Sequence, residues 1–201
     1  MLTMSSHIIL AQDTTTENKN ASVMYGGPAG QYVKVSPDLD IYYLEAGTGT
    51  PLVMIPGWTA TNKFYLKQIP HFAEHYRVIA YDPRSQGNSS KTPENNNYRQ
   101  HGEDLKALMD ALELKDVILM GHSAGCTDAY SYFRLYGTGN VKAFICIDST
   151  PKQVIGQEGD WGWLRTIEEL QNDLRFSFGN RKQAMRDFTK GMLVNPVSEE
   201  E

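Results

Sequence analysis

VILMGHSAGCTDAY, residues 117–130, is an apolar run that stops at Gly-His-Ser-Ala-Gly and resumes with small residues and aromatics. The run preceding Gly121 has the composition of a strand buried on both faces. The residues from Ser123 onward, SAGCTDAYSYFRLYG, read as a helix stopped by Gly137. A serine on so sharp a strand-to-helix turn must take strained backbone angles, and its hydroxyl then projects above the sheet. Gly121 and Gly125, two residues to either side, leave room for the neighbouring strand and helix to come close. The positive end of the helix points at the serine, where an oxyanion would form.

Working outward, QYVKVS (31–36) and LDIYYLEAG (39–47) are strands split by the turn signal Ser36-Pro37-Asp38, which predicts a hairpin. PLVMIP (51–56) and RVIAYD (77–82) are buried strands, and NKFYLKQIPHFAEHY (62–76) is a helix interrupted or kinked at Pro70. In YRQHGEDLKALMDALEL (98–114), Leu105, Leu108, Met109 and Leu112 recur at amphipathic helical spacing. VKAFICIDS (141–149) is a further strand. Alternation of buried strand and helix predicts an α/β fold with a mostly parallel sheet flanked by helices. From Trp161 the alternation breaks. Ile167, Leu170 and Leu174 line one helical face with Trp163, and Met185, Phe188 and Met192 line a second. The expected division is a leader at 1–22, an α/β core at 23–151 and a partial helical cap at 152–201.

Composition narrows the function. The chain has 201 residues, 40% apolar and 21% charged, with a formal net charge of -5. Its scattered basic residues form no stripe to neutralise phosphates, so no nucleic-acid partner is expected. No run approaches the roughly 18 apolar residues of a membrane span. Cys126 and Cys146 lie in apolar surroundings and are read as two buried thiols, with a disulfide between them as the alternative. No cysteine or histidine cluster has metal-ligand spacing, so neither metal nor other cofactor is expected. The leader is either a disordered segment or a clipped signal peptide. Its HIILAQD stretch favours the second, hence a periplasmic or secreted protein over a cytoplasmic one.

The blocks VMIPGWT (53–59), YDPRSQGNSSK (81–91) and VILMGHSAG (117–125), in that order, resemble the α/β-hydrolase fold superfamily, in its branch of small esterases and haloperoxidase-like hydrolases. The resemblance spans about residues 31–195. It implies Ser123 as nucleophile, with an oxyanion hole made by the backbone N–H groups of Trp58 and Ala124. Pro56 stands where the family often has histidine, and Ser85 where it often has glycine. The proline does not remove a donor from the hole. Arg84 is expected to pair with Asp82 or to brace neighbouring loops.

A serine hydroxyl needs a base, and the base needs an orienting carboxylate. Asp148, ending its strand in FICIDSTP, is the candidate acid, and accepting bonds from nearby backbone is its structural alternative. All five histidines, His7, His71, His75, His101 and His122, precede Ser123 in the chain, whereas the family order is serine, acid, histidine. His122 is expected to pack behind the serine, His71 and His75 at the surface, and His101 on a helix below the sheet. The resemblance therefore implies a chain truncated before the catalytic histidine.

The leading expectation is a serine hydrolase of small or medium carboxylic esters. Trp161, Trp163, Phe176 and Phe178 would form a lid favouring an apolar acyl or alcohol group. Lactonase, thioesterase, acyltransferase, perhydrolase and C–C hydrolase chemistry remain open. A serine at the bend argues against dehalogenases and epoxide hydrolases, which need a carboxylate nucleophile. The alternative from another class is a catalytically inactive fragment that only binds.

Overall fold

The computed structural model of the chain describes residues 29–152 and 166–192. The leader and the candidate lid residues Trp161 and Trp163 lie outside the described residues, as do the side chains of Phe176 and Phe178. The chain divides into two units, Met1–Ser149 and Thr150–Glu201.

The first unit is a mixed, mostly parallel sheet with helices packed on it. Strands β1 (Gly30–Ser36) and β2 (Leu39–Ala46) form the hairpin expected from Ser36-Pro37-Asp38. β3 (Pro51–Ile55), β4 (Arg77–Tyr81), β5 (Val117–His122) and β6 (Val141–Ile147) follow, in the spatial order β1-β2-β4-β3-β5-β6. The pairs β3/β4, β3/β5 and β5/β6 are parallel, and β2 joins β4 antiparallel. Successive residues of the central strands feed opposite faces. Val53, Ile55, Ile79, Val117 and Leu119 enter one core with Leu105, Leu108 and Tyr132, while Leu52, Met54, Val78 and Met120 enter another with Tyr65 and Ile69.

Helix α1 (Ile69–Ala73) is shorter than its sequence suggests. The segment opens as a 3₁₀ turn, Asn62–Tyr65, capped by Thr61, and α1 begins afresh with Pro70 in its first turn. Proline there forfeits no helical hydrogen bond, so the break falls before Pro70 rather than at it. Helix α2 (Tyr98–Ala111) starts where Asn97 Oδ1 accepts from Gln100 N at 3.0 Å, and it buries Leu105, Leu108 and Met109. Helix α3 (Ala124–Tyr136) packs beside it and ends at Gly137, whose φ of 70° suits a residue without a Cβ.

The second unit holds α4 (Ile167–Gly179) and α5 (Arg181–Met192). Thr166 and Glu169 form a reciprocal cap at the start of α4: Thr166 N donates to Glu169 Oε2 at 2.7 Å, and Glu169 N donates to Thr166 Oγ1 at 3.2 Å. No helix among the described residues is long and apolar enough to cross a membrane.

One sequence expectation is corrected, and one choice between two is decided. Cys126 and Cys146 are joined in a disulfide and are not separate thiols. The parallel register sets Cys146 beside Gly121, and the turn into α3 brings Cys126 back over the same point, with the Cα atoms 5.5 Å apart. Arg84 does not pair with Asp82. Its Nε and Nη2 donate to both carboxylate oxygens of Asp104 at 2.8 and 2.7 Å, and Nη1 lies 3.6 Å from Asp38. The guanidinium thereby ties the loop after β4 to α2 and to the hairpin turn, which is the bracing role. A second polar link joins the helices, with His101 Nδ1 3.1 Å from Asp128 Oδ1.

The Arg84 and Asp104 side chains are 3% and 7% exposed, so either one alone would be a buried, uncompensated charge. Arg84→Met is expected to lower unfolding free energy in urea by about 3–5 kcal/mol, with Arg84→Met/Asp104→Leu recovering most of it. The His101 link titrates. Burial disfavours the imidazolium, but the hydrogen bond and charge of Asp128, aided by Asp104 against Arg84, leave the His101 pKa above its ordinary value. Stability from this pair is present below about pH 6.5 and is lost as pH rises through the raised folded value. Urea midpoints of the protein should fall across that window, and His101→Gln should flatten the fall.

Candidate active site

The chain leaves β3 for β4 on one side and returns through β5 on the other, so the crevice at the carboxyl ends of β3 and β5 is the topological switch point of the sheet. In open α/β sheets that crevice is where ligands bind. The two sequence blocks singled out as donor loop and serine turn are the segments that leave these strand ends.

Ser123 caps α3 with φ 51° and ψ -119°, a backbone conformation that costs about 1–3 kcal/mol for a residue with a Cβ. Three neighbours hold it there. Its amide donates to Ile147 O at 2.8 Å, fastening the bend to β6. A Cβ on Gly121 would lie 2.6 Å from Cys126 N, so only glycine lets α3 fold back over β5. A Cβ on Gly125 would overlap the Ile55 carbonyl oxygen and come within 2.8 Å of Pro56 O. That glycine brings the first turn of α3 directly against the end of β3.

The segment Pro56-Gly57-Trp58 closes over the bend in a turn fixed by Ala60 N donating to Gly57 O at 3.1 Å. Gly57 is itself tight against the serine, since a Cβ there would sit 3.2 Å from Ser123 Cβ and 3.1 Å from His122 Nδ1. Trp58, the next residue, is 52% exposed, so its indole is not a core residue. Ala124 is the first residue of α3. Its amide therefore belongs to the free N–H groups at the helix start.

Asp148 directly follows Ile147, the acceptor of the Ser123 amide, and it is exposed with φ 57°. The histidines fall as follows. His122 stacks on Phe64 with ring centroids 4.5 Å apart, and its Nδ1 is buried with no hydrogen-bond partner, so it does not accept from the Ser123 hydroxyl. His71 and His75 are exposed, His101 is engaged by Asp128, and His7 lies outside the described residues. Among the described residues no cluster of histidine, cysteine, aspartate or glutamate could hold a metal ion.

Some contributors had no signal in the sequence. Buried Tyr65 donates its hydroxyl to Ile55 O at 2.9 Å, pinning the end of β3 on which Gly125 rests, and burial pushes its phenol pKa well up. Phe64 carries no mark of its own within the segment 62–76 read as a helix. Asp82 accepts from Asn62 N and Asn88 N, both at 2.7 Å, and so joins the loops after β3 and β4. Burial raises its pKa while those two amides pull it back. Its place in the Asp-Pro-Arg block was the available hint.

The chain is 28% identical over 161 residues to a non-heme haloperoxidase of Rhodococcus erythropolis, covering 80% of this chain and 58% of that protein. It is 26% identical over 165 residues to a bifunctional esterase/perhydrolase of Acinetobacter calcoaceticus, covering 80% and 59%. The bromoperoxidase structure from Bacillus anthracis superposes with a TM-score of 0.75 at 29% identity, over 86% of this chain and 65% of that one. The chain thus spans less than two thirds of the length of each of these relatives. A family model described as the alpha/beta hydrolase fold matches residues 50–189, taking in both strand ends of the crevice. The chain belongs to the alpha/beta hydrolase fold family.

Proposed function

We propose that this chain carries the nucleophile and oxyanion hole of a serine hydrolase acting on carboxylic esters. The observation that carries the reading is the strained Ser123 at the start of α3, at the switch point and against the loop from β3. Ser123 Oγ attacks the ester carbonyl and the carbonyl oxygen becomes an oxyanion. The N–H groups of Trp58 and Ala124 donate to it in a site where the helix terminus adds favourable potential. Collapse of this intermediate expels the alkoxide, which leaves as alcohol with the proton that Ser123 gave up to solvent, and water then removes the acyl group from Ser123 as the carboxylic acid. Asp148, at the end of β6 beside the bend, is the proposed acid. The exposed Trp58 indole offers an apolar surface to the acyl or alcohol group. An esterase/perhydrolase and a haloperoxidase among its relatives support hydrolytic chemistry on small molecules. A carboxylate nucleophile, as epoxide and haloalkane chemistry requires, is absent from the bend.

A second reading, binding without turnover, is favoured by one observation. Among the described residues no imidazole engages Ser123. Under it the crevice would hold an ester-like carbonyl that is never cleaved.

A fluorophosphonate applied to the full chain separates the two. Labelling that disappears in Ser123→Ala is expected, at a rate on the order of 10³-fold below that of a complete triad. A chain that binds a p-nitrophenyl ester yet neither labels nor cleaves would establish the second reading instead. The oxyanion assignment has its own test. Trp58→Pro removes a backbone donor and should slow labelling by about 10²–10³-fold, while Trp58→Phe, which keeps the N–H, should leave the rate nearly unchanged.

A further inference from the structure

The strain at Ser123 must be held by its surroundings, and much of that hold comes from β6. Residue for residue, Gly121 lies beside Cys146 and His122 beside Ile147, and Ile147 O receives the Ser123 amide. β6 is the last strand of the sheet among the described residues, paired on one side only, to β5. The Cys126–Cys146 disulfide crosses at this point. It joins the third residue of α3 to the residue before Ile147, so the covalent link and the Ser123–Ile147 hydrogen bond bracket the strained bend from both ends.

We propose that Cys126 and Cys146 are positioning residues whose disulfide straps the serine bend to β6, so that the reactivity of Ser123 follows the thiol redox state of its compartment. The proposal rests on Ser123 being the nucleophile. Cys126 is fully buried and Cys146 only partly so, which makes the Cys146 sulfur the accessible one. A small dithiol attacks it as thiolate, the Sγ–Sγ bond breaks, and Cys126 departs as thiolate and takes a proton. The second thiol of the reagent then attacks the mixed disulfide. The balance is two protein thiols formed, two electrons and two protons gained, and one cyclic disulfide left on the reductant. With the strap open, β6 is held by its ladder to β5 and by Phe144 packing on Tyr130 and Phe133, and the strand end at Ile147 can move so that the bend relaxes from its strained angles. Asp148, next after Ile147, moves with the same strand end. Such a bond persists in an oxidising compartment and is opened by cytosolic thiol systems.

The test uses the full chain, air-oxidised or treated with dithiothreitol under native conditions, together with Cys126→Ala/Cys146→Ala. Alkylation without prior reduction, read by mass spectrometry, should find no free thiol in the oxidised protein. Amide hydrogen exchange in peptides covering 121–127 and 144–150 should quicken about tenfold or more on reduction, with 39–44 and 105–112 unchanged. Fluorophosphonate labelling of Ser123 should fall by about 10-fold to 100-fold at temperatures well below unfolding. A strap that merely stabilised the fold would lower the melting temperature and leave labelling intact, which overturns the proposal. So would two alkylated cysteines in the oxidised protein, or reduction that changes neither exchange nor labelling. Should the oxidised chain fail to label while local exchange still responds to reduction, the serine reading fails and the mechanical strap stands.

Discussion

The hydrogen bond from the Ser123 amide to Ile147 O, 2.8 Å long, fixes the geometry on which the crevice depends. With the close approaches at Gly121 and Gly125, it turns a costly backbone conformation into a stable one at the point where β5 becomes α3. A residue at φ 51° and ψ -119° would relax if either flank were loose. Both flanks are instead crowded to backbone contact. Gly121 admits the first turn of α3 against β5, and Gly125 admits it against β3. The strain is thus distributed over three strands, with β6 supplying the acceptor.

From that constraint the position of the loop after β3 follows. Gly57 comes so near the serine that a Cβ on it would sit 3.2 Å from Ser123 Cβ, a closeness that follows from Gly125 letting α3 sit on Ile55 and Pro56. Tyr65 holds the Ile55 carbonyl from the other side, and Asp82 gathers the amides of Asn62 and Asn88. The loops at the carboxyl ends of β3 and β4 are therefore cross-linked by buried polar contacts and do not rest on their own turns alone. On the α2/α3 side, Arg84 and His101 do the same for the helices, joining the β4 loop to α2 and α2 to α3. Buried charge is retained here in pairs, which costs little once paired and much if a partner is lost.

The fold was legible because its signals are local. Apolar runs of five or six residues between turn formers gave the strands, helical spacing at Leu105, Leu108 and Met109 gave α2, and glycines around Ser123 gave the bend. What stayed hidden depends on which elements become neighbours. Cys126 and Cys146 are 20 residues apart, and only the β5/β6 register decides that they meet. Arg84 stands two residues from Asp82 and twenty from Asp104, yet its fork matches the distant carboxylate because Asp82 is already committed to two backbone amides. His101 and Asp128 lie on separate helices whose facing sides no single-helix pattern specifies. The break before Pro70 is the converse case, a local effect misplaced because proline was taken as the break and not as the first turn of the next helix.

The same distinction bears on the crevice. A serine bend and a donor loop can each be read from a few consecutive residues, since each is made by one strand end. An acid and a base must be brought to them by other elements. Asp148, the proposed acid, stands next to the residue that receives the Ser123 amide, a relation set by pairing and not by motif. His122, adjacent to the serine in sequence, is turned away from it because alternation along β5 sends its ring to the Phe64 side of the sheet. Adjacency in sequence gives Ser123 its strain, and adjacency in space must give it its chemistry.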